Sequence, residues 1–445
     1  MRSPNAPPGG LIGDQALQNS NKTKFVCIIM GNKVAAPDKS EQCIKCGICN
    51  EYCPVARATG GFSGPKMAGP DAQRFRRPRD PSEDRWVGLC SGCGICDRVC
   101  PSGVNVSELN LMAKAKAADE KGFSLRNWLL GHPHLFGRWA TALSSLTNWV
   151  LGSPAFRGFI DRLLSIDKRR SLPAYEGKTF RQWFSDHRSS GKKRIAYFYG
   201  CYTNTNEVDV GVAAVQVLEK NGFEVIIPKQ ECCGVPLLGQ GDLEGARAAG
   251  LRNLSTLLPV VEEGTDIVFS STTCGQMIRC EYPGLLKIPG ADRLAARAFD
   301  VCEYLMMLHD RGELNLDFRP RRERLPYHVP CHLRSMGIGL PALDLLGLIP
   351  GLEVIDIDAG CCGLGGTYGF KKELYDISAA IGENLTQALK DFGSSVAVSD
   401  CEGCRMEIRA LTGLKAVHPL QILRDAYNGS PERSSGNGTA DDLRE

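Results

Sequence analysis

The sequence predicts an α+β multidomain protein: a small helical cysteine-rich domain, a basic helical linker, and two copies of an α/β domain built on parallel sheets. Three observations carry this reading. Eight cysteines fall in two matching short runs between positions 43 and 100. The segment 121–195 is dense in cations and tryptophan. Beyond Arg194, buried-type strands lead to cysteines that recur at a nearly constant offset.

The first run is Cys43-Ile-Lys-Cys46-Gly-Ile-Cys49-Asn-Glu-Tyr-Cys53-Pro54, and the second is Cys90-Ser-Gly-Cys93-Gly-Ile-Cys96-Asp-Arg-Val-Cys100-Pro101. Each reads C-x2-C-x2-C-x3-C-P, the spacing that holds cubane clusters in bacterial-type ferredoxins, with the fourth cysteine reaching to the other cluster. The expected ligand sets are therefore Cys43, Cys46, Cys49 and Cys100 for one [4Fe–4S] cluster, and Cys90, Cys93, Cys96 and Cys53 for a second. Zinc is the rival metal, but it takes paired C-x2-C units rather than three cysteines at i, i+3 and i+6 plus a Cys-Pro. A helix over Val106–Ala117 suits the mostly α-helical ferredoxin type. The connecting stretch Gly64-Pro-Lys-Met-Ala-Gly-Pro-Asp71 reads as a Gly/Pro loop.

At 445 residues the chain has room for several cores. Twenty cysteines without a secretory leader or a membrane-spanning run imply a reducing, cytoplasmic setting with thiols as metal ligands. The expected organisation is a disordered tail over 1–38, in which Cys27 has no assigned role, and a cluster-binding domain over 39–118. The basic segment follows over 119–193, then two repeats over 194–322 and 323–427, and a disordered tail over 428–445.

Segment 121–195 holds fourteen Lys/Arg against four Asp/Glu, and includes Trp128, Trp139, Trp149 and Trp183. Leu125–Leu130, Leu135–Leu143 and Phe159–Leu164 have the spacing of short amphipathic helices, broken at Gly131, Pro133, Gly152 and Pro154. Cationic helices carrying Trp and Leu suit an anionic membrane surface. Docking on another polypeptide of a complex, or packing on the chain's own core, would use the same pattern. No nucleic-acid recognition motif accompanies the charge, and no nucleic-acid partner is expected.

In the two repeats Cys201 corresponds to Cys331, Cys232 to Cys361 and Cys274 to Cys401, at offsets of 130, 129 and 127 residues. A period this steady marks a duplicated domain. Strands alternating with helical stretches such as Val208–Glu219, Leu243–Leu258 and Lys372–Lys390 predict parallel sheets, whose sites collect at the carboxyl ends of strands. The second copy gathers Cys331, Cys361, Cys362, Cys401 and Cys404. Adjacent cysteines fit an extended metal cluster or dithiol chemistry better than a simple mononuclear site. The first copy offers Cys201, Cys232, Cys233 and Cys274, with Met277 where a second C-x2-C cysteine would stand. It is left open between a smaller centre and none. Cys280 is the candidate to replace the missing C-x2-C cysteine, though a helix would turn it elsewhere, and Cys302 is expected to be structural. His328 and His332 flank Cys331 and could ligate or tune a cluster. Gly363-Leu-Gly365 lacks the third glycine of a dinucleotide fingerprint. With no HExxH and no GxSxG, no site for oxidising an organic substrate is expected, and no catalytic residue is assigned.

These motifs together resemble the iron–sulfur subunits shared by heterodisulfide reductases, glycolate and lactate oxidases and anaerobic glycerol-3-phosphate dehydrogenase. The chain is most similar to the iron–sulfur subunit family of the last. The specific matches are Gly64–Asp71, Ser124-Leu-Arg-Asn127, Ile166-Asp-Lys-Arg-Arg-Ser-Leu-Pro173, Glu231-Cys-Cys-Gly-Val-Pro-Leu237, Glu281-Tyr-Pro283, Pro330-Cys-His332 and Gly366–Glu373. The resemblance implies that a separate flavoprotein oxidises sn-glycerol 3-phosphate. Electrons would then pass through this chain to membrane quinone, on the inner face of the cell membrane. It also implies a non-cubane [4Fe–4S] cluster on Cys331, Cys361, Cys362, Cys401 and Cys404, expected as the exit toward quinone or as a two-electron gate. The iron–sulfur component of a lactate or glycolate oxidase and a catalytic disulfide reductase are the alternatives within the same resemblance.

Overall fold

The computed structural model describes residues 39–77, 80, 84 and 86–428. The expected tails, with Cys27, lie outside these residues, except that Asn428 closes the helix Pro419–Asn428. The cysteine-rich segment is helical, as its sequence predicts. One-turn helices Ile48–Glu51 and Ile95–Arg98 each start after a motif glycine, Gly47 and Gly94, and the helix α1, Val106–Lys121, packs behind them. The Gly64–Asp71 segment departs from the loop expected of it: Met67–Asp71 is a π-helical turn with Ala68, Gly69 and Pro70 buried. Tertiary contacts override the local Gly/Pro signal here. Asn50 accepts from the Lys66 amide at 3.1 Å, Lys66 pairs with Asp71 at 2.5 Å, and a side chain at Gly69 would meet Val106 at 3.0 Å.

The basic segment forms the helices α2 (Leu125–Gly131), α3 (Pro133–Ala142), α4 (Ser144–Gly152) and α5 (Pro154–Leu164), and a further short one over Phe180–Asp186. Ser124 caps α2, and prolines open α3 and α5 at the position where a missing N–H costs nothing. The segment is not uniformly a surface element. Arg170 is buried, paired with Glu407 and donating to the Gly369 carbonyl at 3.0 Å and the Ser378 hydroxyl at 3.0 Å. Trp183 packs on Phe180 and His187 rather than facing out. Arg126, Lys178, Lys193 and Arg194 also have acidic partners. Composition therefore overstates the free positive charge.

Each repeat carries a four-stranded parallel sheet. The first consists of β1 (Lys193–Phe198), β2 (Phe223–Ile226), β3 (Ile267–Phe269) and β4 (Ala298–Asp300), in the order β2-β1-β3-β4. The second consists of β5 (Glu323–Tyr327), β6 (Leu352–Asp356), β7 (Val396–Val398) and β8 (Lys415–Val417), in the matching order β6-β5-β7-β8. The edge strands β4 and β8 were not expected from the sequence. At three residues each they are too short to show a period.

The strand order reverses between β1 and β3, and between β5 and β7. In a parallel sheet this opens a crevice beyond the carboxyl ends of those two strands. One apolar core joins both repeats, from Ile195, Phe198 and Phe269 to Tyr327, Leu345 and Leu420. The helices Val208–Lys220 and Pro419–Asn428 meet across the junction, where Arg424 and Gln421 both bond Asp209. No helix among the described residues is long and apolar enough to cross a membrane.

Candidate metal centres

The crevice rule accounts for the cysteines of each repeat. Cys331 follows β5 and Cys401 follows β7, the two strands at the reversal, and Cys361-Cys362 ride the loop after β6. The Cys362 and Cys404 sulfurs are 3.4 Å apart, and His328 lies within 4.8 Å of both. Hydrogen bonds from Cys331 and Cys362 favour the Cys361 thiolate, and Cys404 helps bring Cys401 down to about 6. In the first repeat Cys201 and Cys232 stand 3.8 Å apart, and Cys233 bonds both Cys232 and Cys274. Met277 is fully buried in the core, behind the Cys-Cys-Gly turn. The four thiols thus converge.

Glycine is required after both cysteine pairs. Gly234 and Gly363 have φ of 95° and 88°, a region that side chains disfavour. A Cβ at Gly363 would also lie 2.1 Å from the Ser378 carbonyl oxygen. The turn therefore presses the cysteine pair against the following helix.

In the cysteine-rich domain Cys43, Cys46, Cys49 and Cys100 line one small cavity of about 20 Å³. Burial and then the neighbouring Cys100, Cys43 and Cys46 push the Cys49 thiol up to about 11. The second set is likewise drawn together: Cys96 is pushed up by burial, and then by Asp97, Cys93, Cys90 and Cys53. No disulfide joins any described cysteine. Four thiols per set fit a cubane cluster, which cysteine thiolates hold. Five thiols with His328 beside them fit a larger centre in the second repeat.

The sets adjoin one another. Cys53 feels both Cys90 and Cys49, Cys93 feels Cys361, and Cys331 feels Cys93. From the second repeat to the first, Thr273 contacts Cys401 at 3.6 Å and His332 at 3.3 Å, and Cys201 feels Glu402. Glu402 is partly buried and raised to about 7 by desolvation and the Cys401 charge, with Ser271 donating to it at 2.9 Å. Burial lowers His328 to about 4, so its ring is neutral. Lys114, partly buried, donates to the Cys90 carbonyl at 3.3 Å. Sequence reasoning passed over Thr273, Glu402 and Lys114, because nothing in their spacing separates them from ordinary loop and helix residues.

A dicluster module joined to two Cys-Cys-Gly modules is the architecture of an iron–sulfur protein. Family models agree: a 4Fe-4S dicluster domain matches residues 39–104, and a cysteine-rich domain matches 195–279 and 325–409. The chain is 36% identical over 396 residues to the C subunit of the anaerobic glycerol-3-phosphate dehydrogenase of Escherichia coli K12, covering 87% of this chain and 98% of that one. It belongs to the family of that protein. It is also 27% identical to the B subunit of the fumarate reductase (CoM/CoB) of Methanothermobacter marburgensis, over 88% of this chain and 73% of the relative. The D subunit of the dihydromethanophenazine:CoB–CoM heterodisulfide reductase of Methanosarcina barkeri is 23% identical, over 83% and 88%.

Proposed function

We propose that this chain carries electrons within an anaerobic glycerol-3-phosphate dehydrogenase. It would receive them from a flavoprotein that oxidises sn-glycerol 3-phosphate to dihydroxyacetone phosphate, and deliver them to quinone at the inner face of the cell membrane. The observation that carries this reading is the succession of adjoining thiol sets, from Cys43 through Cys93 and Cys361 to Cys201. Bound iron–sulfur clusters supply one-electron storage and relay at such positions.

Cys43, Cys46, Cys49 and Cys100 would hold one [4Fe–4S] cluster, and Cys90, Cys93, Cys96 and Cys53 a second. Cys331, Cys361, Cys362, Cys401 and Cys404 would hold the non-cubane one. Cys362, Cys401 and Cys404 are buried away from water whereas Cys46 is exposed, and His328, Thr273 and Lys114 set the local polarity. Cys201, Cys232, Cys233 and Cys274 form a smaller site of the same character.

Membrane association rests on α2–α5. Eleven of the twenty large apolar side chains exposed among the described residues fall in 121–195, including Trp139 at 79% and Trp149 at 73%. An apolar face this size suits insertion into a headgroup layer better than bulk water. Serine at Trp139, Leu146 and Trp149 together is expected to abolish co-sedimentation with anionic vesicles while leaving the iron content intact.

The decisive experiment is anaerobic purification with and without the flavoprotein, followed by iron and sulfide counting and electron paramagnetic resonance. Glycerol 3-phosphate is expected to reduce the clusters only when the flavoprotein is present, with lactate and glycolate inactive. A colourless, iron-free chain, or one that dehydrogenates glycerol 3-phosphate unaided, would overturn the reading.

A further inference from the structure

A cavity of about 1090 Å³ borders the thiols of the first repeat, between α3 and the loop bearing Cys232. On one wall stand Cys201 and Cys232. On another stand His134, Leu135, Trp139 and Thr141 of α3, and a third is formed by Arg181 and its neighbours. Leu135 and Trp139 are also part of the exposed apolar face of α2–α5. The cavity thus has a redox-capable thiol set at one side and the apolar helices at the other.

Two polar atoms in its lining residues have no protein partner. His134 Nδ1 and Thr141 Oγ1 are both buried and unbonded, and they sit two turns apart on the same helix face. A buried polar atom left unpaired costs free energy, and a rotation of either side chain into the adjoining cavity would let a ligand satisfy it. His134 and Cys232 both line the cavity. Arg181 hydrogen-bonds Tyr199 and leaves further donors toward the cavity. The volume exceeds what a bicyclic head group needs, and a few convergent donors on mainly apolar walls are the usual makeup of such sites.

We propose that this cavity binds the head group of a lipid-soluble quinone, with its tail leaving along α3 into the membrane. The inference rests on the functional reading above and moves its exit to the first repeat, away from the second repeat expected from the sequence. The quinone takes two electrons, one at a time, from the thiolate-held centres, which the flavoprotein has reduced at the expense of glycerol 3-phosphate. Both carbonyl oxygens gain a proton, forming two O–H bonds and giving the quinol. His134 and Thr141 bond the head group, and the protons come from water.

The test uses the intact complex reduced with glycerol 3-phosphate, with reoxidation followed by cluster absorbance. Decylubiquinone and menadione serve as quinone probes, and ferricyanide as an oxidant that needs no head-group site. Ala142→Trp, which fills the cavity, and His134→Phe are each expected to lower the ratio of quinone rate to ferricyanide rate at least tenfold. An azidoquinone should label peptides spanning 134–142 or 177–185 in the native complex. If Ala142→Trp loses iron, His134→Phe and the photolabel decide. Unchanged ratios in the iron-replete variants, or label confined to other peptides, would overturn the site alone. A native complex reoxidised by ferricyanide but by neither quinone would overturn the functional reading itself, and the site with it.

Discussion

The hydroxyl of Thr273, in the first repeat, lies 3.6 Å from the sulfur of Cys401 in the second, and 3.3 Å from Nδ1 of His332. One side chain therefore touches the cysteine set of the other repeat. Hydrogen bonds to cluster sulfurs raise reduction potentials. Thr273→Val keeps the shape and removes the bond. It is expected to lower the midpoint potential of the second-repeat centre and alter its paramagnetic resonance spectrum, with iron content unchanged. An identical redox titration would refute the link.

Arg405 ties the repeats together from the other side. It is almost fully buried, and its guanidinium bonds Glu207 of the first repeat and the Ser399 carbonyl at 2.8 Å. Burial works against the Glu207 carboxylate, yet Arg405 and Arg409 together hold it below the usual range. Arg405→Met leaves that carboxylate without its buried partner, a change that costs about 3–5 kcal/mol. A large fall in melting temperature is expected, with partial recovery in Arg405→Met/Glu207→Leu. Equal destabilisation in the single and double variants would contradict it.

Lys114 places a partly buried ammonium beside the Cys90 carbonyl. A nearby positive charge favours the reduced, more negative cluster. Lys114→Gln is expected to lower the potential of the cluster that Cys90 would help hold by on the order of 40 mV, the one-electron equivalent of ~1 kcal/mol. Spectroelectrochemical titration of the two ferredoxin-type signals checks both the sign and the selectivity.

Lys371 is buried, and desolvation, then Lys114 and Arg126, bring it down to about 7. The unfolded chain holds this proton to a much higher pH. Its penalty on stability is therefore complete below about 7 and fades as pH rises toward the ordinary lysine value. Lys371→Met is expected to raise the melting temperature more at pH 6 than at pH 9. Calorimetry at the two pH values decides, and a larger gain at pH 9 would reverse the sign of the argument.

Much of this was legible in the sequence because metal ligation imposes spacing. Cys43–Cys100 and the recurring Cys-Cys-Gly turns cannot drift without losing their geometry, so they show as motifs. The helices α2–α5 announced themselves through Pro133 and Pro154 and through apolar spacing. What stayed hidden depends on contacts made far along the chain. The turn at Met67–Asp71 is helical because Val106 and Asn50 pack on it. Arg170 looked like one more surface cation, yet it pairs with Glu407, more than two hundred positions away. Within the new cavity, His134 sits on a helix whose other residues speak of lipid, and no local pattern shows that Cys232 lies opposite.

The shared core has a bearing on how this chain can be handled or rearranged. Ile195 and Phe269 belong to the same apolar interior as Leu345 and Leu420, so neither half owns a complete inside. A gene cut at the junction near residue 320 would give two fragments, each with a raw greasy flank. They would have to find one another before either stayed in solution.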